Sequence, residues 1–355
     1  MAGSGTAHLR PAGALLRAEH LEVAFGPKKR RVQAVSDVSI DVAPGETLGL
    51  VGESGCGKST TGRALAQVHR PDAGHVVFDG QDLTTLRGEE LRTARTKVQM
   101  VFQDPISSLN PRRGVLDAVV EPLSIWGIGT KAERVERARA MLEAVGVDPD
   151  HAGARRPIEF SGGQCQRISI ARALMLEPRL LICDEPVSAL DVSVQAQILN
   201  LLEDLKAQRG LTMVFIAHDL AVVKNISDRV AVMYLGKLCE VATPETLYRE
   251  PAHHYSAALL ASIPEPDPEA AAVGTEPVRG ELPSPIDPPS GCRFRTRCPR
   301  AEDRCAAEEP QMQMVGPGHY VACHFPLPRP AGAQAASPPA GAALDVGAVP
   351  EPGAD

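Results

Sequence analysis

A glycine-rich segment that ends in lysine and serine carries the clearest chemistry in this sequence. Residues 52–60 follow the pattern G-x-x-x-x-G-K-S/T. They come directly after an apolar run, residues 47–51, and before a segment that can begin a helix. In this strand–loop–helix context, the loop amides point at phosphate oxygens and the helix N-terminus favours negative charge. The sequence therefore predicts a nucleotide-phosphate site, with a chance glycine turn as the alternative.

Two side chains of this loop have distinct predicted roles. Lys58 can reach the outer phosphates, and the hydroxyl of Ser59 can hold a magnesium ion. The residues expected to bind the nucleotide in the loop are Gly52, Ser54, Gly55, Cys56, Gly57, Lys58, Ser59 and Thr60.

A pair of carboxylates follows a second apolar run, residues 180–183. Asp184 is placed to hold the magnesium ion, directly or through water, and Glu185 can polarise a water aimed at the terminal phosphate. The alternative is an exposed turn before Pro186. The sequence favours a catalytic pair, because a phosphate loop is present in the same chain.

Polar residues stand at the ends of several predicted strands. Gly52, Gln103, Asp184 and His218 each follow an apolar run of strand-like composition. Strands that alternate with helices predict an α/β fold, in which ligands bind at the carboxyl ends of the strands. We therefore expect these four residues to share one site.

Composition limits the class of protein. The chain has 355 residues, with 43% hydrophobic residues and a formal net charge of −7. This acidic balance argues against nucleic-acid binding through bulk charge. No apolar run approaches the roughly 20 residues that would span a bilayer, and residues 1–16 do not resemble a signal peptide. We expect a cytosolic chain, where disulfides are disfavoured.

The chain divides into four predicted regions. Residues 1–17 are expected to form a disordered leader, and residues 18–250 a nucleotide-binding domain whose part from 104 to 175 is mostly helical. Pro-rich connectors at 263–268 and 283–289 indicate a separate C-terminal extension, residues 251–326. The Ala-, Pro- and Gly-rich residues 327–355 are expected to be disordered.

A further motif, Ser161-Gly162-Gly163-Gln164, opens a helical stretch and is either an anion site or a simple helix cap. Together, the order of the phosphate loop, Gln103, this motif, Asp184-Glu185, the run 188–191 and His218 resembles the ATP-binding cassette (ABC) ATPases over residues 18–250. The resemblance implies a RecA-like core sheet, an antiparallel β subdomain and a helical subdomain, with a small Cys-rich extension beyond them.

The resemblance also implies a composite site between two cassettes packed head to tail. Residues 52–60 would hold one ATP with Mg²⁺, and Gln103 would contact the magnesium and the attacking water. His218 would touch the terminal phosphate and support Glu185. Phe25 would stack on adenine, or else be an ordinary strand aromatic. Residues placed at the interface, against the ATP of the opposite cassette, are Ser161, Gly162, Gly163, Gln164 and Asp191.

Several segments resemble one branch of the family, the dipeptide and oligopeptide importers. These segments are residues 104–111, 254–260, 263–268 and 291–299, and residues 215–220 favour the second of the two ATPase subunits of such importers. The implied partners are two transmembrane permease subunits, a second cassette and an extracytoplasmic peptide-binding protein, with the chain at the cytoplasmic face of the membrane. A nickel importer subunit and a soluble regulatory or repair ATPase are the alternatives.

Four cysteines cluster in the extension: Cys292, Cys298, Cys305 and Cys323. Their spacing is neither the tight pairing usual for zinc nor a common ferredoxin run. The resemblance implies a 4Fe–4S cluster, with zinc second and free thiols third. His319 and His324 are candidate substitute ligands. Such a site would staple an extension whose own core is thin.

Overall fold

Two β-sheets organise the chain. The computed structural model describes residues 5–27, 30–263 and 280–328. One sheet has four strands in the order β2-β1-β4-β5, and the other has eight in the order β11-β12-β10-β9-β3-β8-β7-β6. The strands are β1 (Leu16–Phe25), β2 (Val32–Val42), β3 (Thr47–Val51), β4 (Ala73–Phe78), β5 (Gln81–Asp82), β6 (Val98–Val101), β7 (Leu180–Asp184), β8 (Thr212–Ala217), β9 (Arg229–Tyr234), β10 (Lys237–Ala242), β11 (Gln313–Gly316) and β12 (His319–Val321).

Helices follow the strands of the larger sheet, and several are concentrated between residues 105 and 174. The helices are α1 (Lys58–Leu65), α2 (Gly88–Thr96), α3 (Pro105–Ser108), α4 (Val115–Ile125), α5 (Lys131–Ala144), α6 (Pro149–Ala152), α7 (Gly162–Leu174), α8 (Val192–Arg209), α9 (Leu220–Ile226), α10 (Pro244–Arg249), α11 (His254–Ala261) and α12 (Asp303–Ala307).

The larger sheet aligns the strand ends that the sequence singled out. Strand β3 pairs in parallel with β8 and β9, and β7 pairs in parallel with β8 and β6. All residues of β3, β7 and β8 are buried, as expected of parallel strands covered on both faces. Because Val51 pairs with Ala217 and Val101 with Cys183, the carboxyl ends of these strands lie at one edge.

The smaller, antiparallel sheet shares a core with α1 and one face of the larger sheet. Leu21 and Val38 from the small sheet belong to the same buried cluster as Leu65, Leu50 and Ile182. A second buried cluster joins the other face of the larger sheet to α4, α5, α7 and α8. Strand β3, which leads into the loop, thus lies between two packed cores, with Val51 in one and Leu50 in the other.

The C-terminal extension continues the larger sheet. Strand β12 pairs antiparallel with β10, so that Glu240 faces Val321. Glu240 is fully buried and accepts hydrogen bonds from the backbone N–H groups of Ala252 and His253. The ring of His319 lies 2.6 Å from the same carboxylate. These contacts fix the extension to the core sheet through buried polar groups.

The expectation of a disordered leader is wrong for residues 5–17. His8 is buried, with its Nε2 2.7 Å from the carbonyl oxygen of Ser39. Arg10 donates two hydrogen bonds to Glu46, each of 2.8 Å. The partners lie more than 30 residues away, so the local composition gave no sign of them. Residues 1–4, the connector at 264–268 and most of the predicted tail, 329–355, lie outside the described residues.

Candidate nucleotide-binding and hydrolysis site

The loop between β3 and α1 has the strand–loop–helix form predicted from the sequence. Helix α1 begins at Lys58, directly after Gly57, which has a φ of 105°. A Cβ atom at Gly57 would lie 2.0 Å from the carbonyl oxygen of Ala34. Only glycine fits this position, because both the backbone angle and the close approach exclude a side chain. At Gly57 the backbone can therefore turn tightly enough for the loop to wrap around a phosphate group.

Lys58 is enclosed by its own loop. Its side chain is 3% exposed, and Nζ donates hydrogen bonds to the carbonyl oxygens of Gly52 (2.7 Å) and Glu53 (3.0 Å). The same Nζ lies 3.9 Å from a carboxylate oxygen of Glu185. The structure thus brings the lysine of the loop next to the second carboxylate of the predicted pair.

Ser59 and Asp184, the two residues predicted to hold magnesium, lie in contact with each other. The Ser59 hydroxyl donates to Oδ1 of Asp184 over 2.6 Å. Asp184 is fully buried, and its Oδ2 has no hydrogen-bond partner among the described residues. Burial raises the pKa of Asp184 above its ordinary value. An unsatisfied carboxylate oxygen beside a serine hydroxyl suits a hard cation. Mg²⁺ is such a cation, and proteins commonly bind it through one or two of their own groups.

Glu185 occupies a strained position at the end of β7. Its φ is 46°, in the left-handed region that a non-glycine residue rarely adopts. Its backbone N–H donates to the carbonyl oxygen of Ile216 (3.0 Å), and the Ser188 hydroxyl donates to its carbonyl oxygen (3.1 Å). Such strain persists when the surroundings over-determine it, and it often marks functional sites.

The Glu185 carboxylate meets the two other predicted site residues. Its Oε2 accepts a hydrogen bond from Gln103 Nε2 (3.1 Å) and lies 3.3 Å from Nδ1 of His218. A side-chain amide and an imidazole therefore converge on one carboxylate oxygen. This group can orient a water molecule and receive its proton.

The Ser161–Gln164 motif and Asp191 act as helix caps within this chain. The Ser161 hydroxyl accepts from the Gln164 N–H, forming a capping box at α7, and Asp191 accepts from the Val194 N–H at α8. A Cβ atom on Gly163 would lie 2.5 Å from Val194 Cγ1. The hydrogen bonds of the described residues do not join this motif to the phosphate loop.

Phe25, the predicted adenine contact, ends strand β1 and is 40% exposed. Its ring lies 4.8 Å from the ring of His69. An exposed aromatic face of this kind can stack on a base.

Arg63 is a site residue that the sequence reading missed. Its Nη2 lies 3.9 Å from the buried Oδ2 of Asp184. Arg63 is four residues after Ser59 on α1, so both face the same side of the helix. That spacing would have indicated a cation beside the residues predicted to hold magnesium.

The four cysteines of the extension lie close together as free thiols. Burial raises the pKa of Cys292 to about 11 and that of Cys323 to about 12, and the neighbouring thiols contribute to both shifts. Among the residues described, however, no three His, Cys, Asp or Glu side chains are arranged to hold a metal ion. This arrangement does not support the predicted iron–sulfur or zinc site.

The two histidines considered as substitute ligands have other partners. Nε2 of His319 lies beside Glu240, and Nε2 of His324 lies 3.0 Å from the carbonyl oxygen of Glu308.

None of the helices that the structure describes is long and apolar enough to cross a membrane.

Two family models match the chain. One, described as ABC transporter, matches residues 35–188, and the other, described as oligopeptide/dipeptide transporter, C-terminal region, matches residues 239–305. Oligopeptide transport ATP-binding protein AppF of Bacillus subtilis is 50% identical over 303 residues, covering 85% of this chain and 92% of AppF. A Brucella ovis protein provisionally named as a peptide import ATP-binding protein is 53% identical over 309 residues, covering 87% of this chain and 97% of the relative.

Solved structures give the same result for the fold. The ATP-binding cassette MJ0796, solved as a dimer bound to ADP and Pi, superposes with a TM-score of 0.60 at 28% identity, over 64% of this chain and 98% of MJ0796. The cbiO1 protein of Clostridium perfringens, described as part of an ABC transporter complex, gives a TM-score of 0.60 at 26% identity, over 67% of this chain and 92% of cbiO1. The predicted α/β cassette fold is therefore confirmed, and the chain belongs to the ATP-binding subunits of the ABC transporter family, with the C-terminal region typical of oligopeptide/dipeptide transporters.

Proposed function

We propose that this ABC ATPase supplies the energy for import of dipeptides or oligopeptides through a membrane permease. The observation that carries the peptide assignment is the C-terminal region at residues 239–305, which matches the transporter family of that name. The names of the Bacillus and Brucella relatives support the same assignment. A soluble regulatory or repair ATPase is not favoured by either comparison.

Binding of ATP starts at the phosphate loop. Lys58 would release one of its carbonyl contacts to reach the outer phosphates, while the loop amides and the N-terminus of α1 hold the rest. Ser59 and Asp184 would hold Mg²⁺, which neutralises charge on the phosphates. Phe25 would stack on the adenine. These roles are supported by the distances around Lys58 and Asp184.

Hydrolysis needs an activated water in line with the terminal phosphate. Glu185 would accept the proton of that water. Gln103 would orient the water, and His218 would hold the carboxylate and contact the terminal phosphate. The hydrogen bonds that join these three side chains support the assignment. Their contribution would come from positioning and electrostatics in a preformed site.

A second cassette would complete each ATP site. Ser161, Gly162, Gly163 and Gln164 would contact the ATP bound by the opposite cassette, with Asp191 across the interface. Large apolar side chains are exposed beside these motifs, with Val192 82% and Ile158 75% exposed. Such side chains support the presence of a partner surface here. Closure on two ATP molecules and reopening after hydrolysis would then be a ligand-driven population shift. The isolated chain should be a poor ATPase.

The remaining partners would lie in the membrane and beyond it. Two permease subunits would anchor the chain at the cytoplasmic face, and an extracytoplasmic peptide-binding protein would deliver the solute. The segment 104–111 would receive the permease. It contains the short helix α3, and Ile106 on this helix is 47% exposed. Residues 215–220 favour the second of the two ATPase subunits of such an importer.

Isolation of the native complex tests this proposal. The tagged chain, extracted from its own membranes in mild detergent, should carry two multi-span proteins and a second cassette. Radiolabelled di- and oligopeptides should accumulate in cells that contain the parent chain and not in cells that contain Glu185→Gln. Accumulation of radiolabelled nickel instead would support the alternative solute. A tagged chain that is fully extractable without detergent and has no multi-span partner would contradict the proposal.

The magnesium assignment predicts a metal-dependent defect. Asp184→Asn should bind ATP without magnesium about as well as the parent chain, because the phosphate loop is unchanged. It should lose the gain in affinity that magnesium gives the parent chain. Calorimetric titration of ATP with and without Mg²⁺ measures both values. If magnesium raised the ATP affinity of the variant as much as that of the parent chain, Asp184 would not be the residue that holds the ion.

The cysteine group remains a proposed 4Fe–4S site, with zinc as the alternative. Its support is the set of four neighbouring thiols, since Cys292, Cys298 and Cys305 all help to raise the pKa of Cys323. Anaerobically purified chain should contain iron and acid-labile sulfide in equal amounts, and Cys298→Ser should lower both. Cys165→Ser, a change to a buried cysteine of α7, is the control. Zinc without sulfide would support the zinc alternative. A chain that contains neither metal would show that the four cysteines are structural thiols.

A further inference from the structure

The second residue of the phosphate loop is held from behind by the C-terminal extension. The backbone N–H of Glu53 donates to the hydroxyl of Tyr255 over 2.8 Å. Tyr255 lies on α11 and is fully buried. The two residues are 202 positions apart, so the contact depends on how the extension packs. A buried hydroxyl thereby fixes the peptide group between Gly52 and Glu53.

The side chain of Glu53 is held by the same extension. Arg297 donates from Nη1 to Oε2 of Glu53 (2.8 Å) and from Nη2 to Oε1 (3.1 Å). The side chains are 8% and 26% exposed, respectively. Two parallel charge-assisted hydrogen bonds of this kind fix both position and orientation. Their shielding from water makes them stronger than an ordinary surface pair.

Arg297 is itself anchored by buried aromatic residues. The backbone N–H of Arg297 donates to the carbonyl oxygen of Phe294 over 2.9 Å. The Phe294 ring is 2% exposed and packs edge-on against Tyr234, at 5.2 Å, with Tyr255 at 5.4 Å. Tyr234 belongs to the core sheet, whereas Phe294 and Tyr255 belong to the extension. The guanidinium therefore approaches Glu53 from a rigid support.

These contacts end at the residue that holds the catalytic-site lysine. The carbonyl oxygen of Glu53 accepts from Lys58 Nζ, and that of Gly52, one residue earlier, accepts from the same nitrogen. Fixing Glu53 on its amide and side chain therefore also fixes the carbonyl groups around Lys58. A loop that is ordered before ATP arrives pays less conformational entropy on binding.

We propose that Arg297 and Tyr255 are positioning residues for ATP binding, and that the C-terminal extension uses them to clamp the phosphate loop through Glu53. Neither side chain needs to touch the nucleotide. The proposal concerns the ATP site of an ABC ATPase and is independent of which solute is transported, so a failure of the peptide assignment would leave it intact.

Binding and turnover of the full-length chain test the clamp. Arg297→Ala should raise the Kd for MgATP, and the KM, about tenfold, since it removes a shielded charge-assisted pair. The kcat should change little, because bound phosphates themselves order the loop. Glu53→Gln and Tyr255→Phe keep the side-chain shapes and should shift KM in the same direction. They also carry the test if Arg297→Ala does not fold.

A nearby arginine provides the matched control. Arg295 lies two residues from Arg297 and donates to the carbonyl oxygen of Ser290 in its own extension. Arg295→Ala should leave the Kd for MgATP unchanged. An equal loss in Arg295→Ala and Arg297→Ala would show general damage to the extension and overturn the clamp.

A double-mutant cycle separates positioning from general stability. If Arg297 acts through Glu53, the double variant Glu53→Ala with Arg297→Ala should bind MgATP no more weakly than either single variant. Arg297→Lys keeps the positive charge but cannot make two parallel hydrogen bonds to Glu53, so it should give an intermediate KM. Additive losses in the cycle, or a KM unchanged in both Glu53→Gln and Arg297→Ala, would refute the proposal.

Discussion

Replacement of Glu185 by glutamine should nearly abolish ATP turnover and leave ATP binding intact. The carboxylate lies within hydrogen-bond reach of Gln103 and His218, and its oxygen Oε1 is 3.9 Å from Lys58 Nζ. Glutamine keeps the volume and one oxygen acceptor but cannot accept the proton of the attacking water. Loss of a general base lowers turnover by roughly 10²- to 10⁴-fold. Steady-state hydrolysis and calorimetric ATP binding, measured on the same preparation, check both parts.

An exposed glutamate of α8 is the control for this change. Glu203→Gln alters charge by the same amount away from the site and should hydrolyse ATP at the parental rate. The ATP-bound state of the Glu185→Gln variant should also persist, because the hydrolysis step that consumes ATP is blocked. Near-normal hydrolysis by Glu185→Gln would exclude this residue as the base and direct attention to His218.

Replacement of Lys58 by alanine should act on binding itself. Lys58 is the 3% exposed cation of the loop, and its ammonium is the group placed to meet the outer phosphates. Loss of a charge-assisted contact in a shielded site should weaken ATP affinity roughly 10- to 100-fold. AMP affinity should change much less, since AMP lacks the outer phosphates. Titration with ATP, ADP and AMP gives the three values.

The exposed Lys131 at the start of α5 provides the matched control. Lys131→Ala removes the same charge from the surface and should bind ATP like the parent chain. If Lys58→Ala lowers ATP and AMP affinity equally, the change has disturbed the whole loop, and a specific phosphate role for Lys58 is excluded.

Much of the site could be predicted because its residues are defined by local patterns. Gly57 and Lys58 belong to one short motif, and Asp184 ends a run of apolar residues typical of a buried parallel strand. Such runs indicate strands by composition alone, and parallel strands place their carboxyl ends at one edge. The structure then puts Gln103 and His218 within 3.3 Å of one carboxylate oxygen of Glu185.

Other parts could not be predicted because they depend on contacts between distant residues. The ordering of His8 and Arg10 requires partners on β2 and the turn after it. The left-handed backbone of Glu185 is accompanied by a hydrogen bond from its N–H to Ile216 of the neighbouring strand. The cysteines are close in sequence, yet how near their thiols lie to one another depends on how the extension packs.

The sequence by itself determined the identity of the chemical groups and the edge of the sheet at which they meet, because motif, hydrophobic pattern and strand direction are local properties. Only the tertiary structure decided what holds those groups in place. Glu53 meets Arg297 across 244 positions of chain, and Tyr255 across 202. Contacts over such separations arise from the packing of whole elements, and no local pattern in the sequence records them.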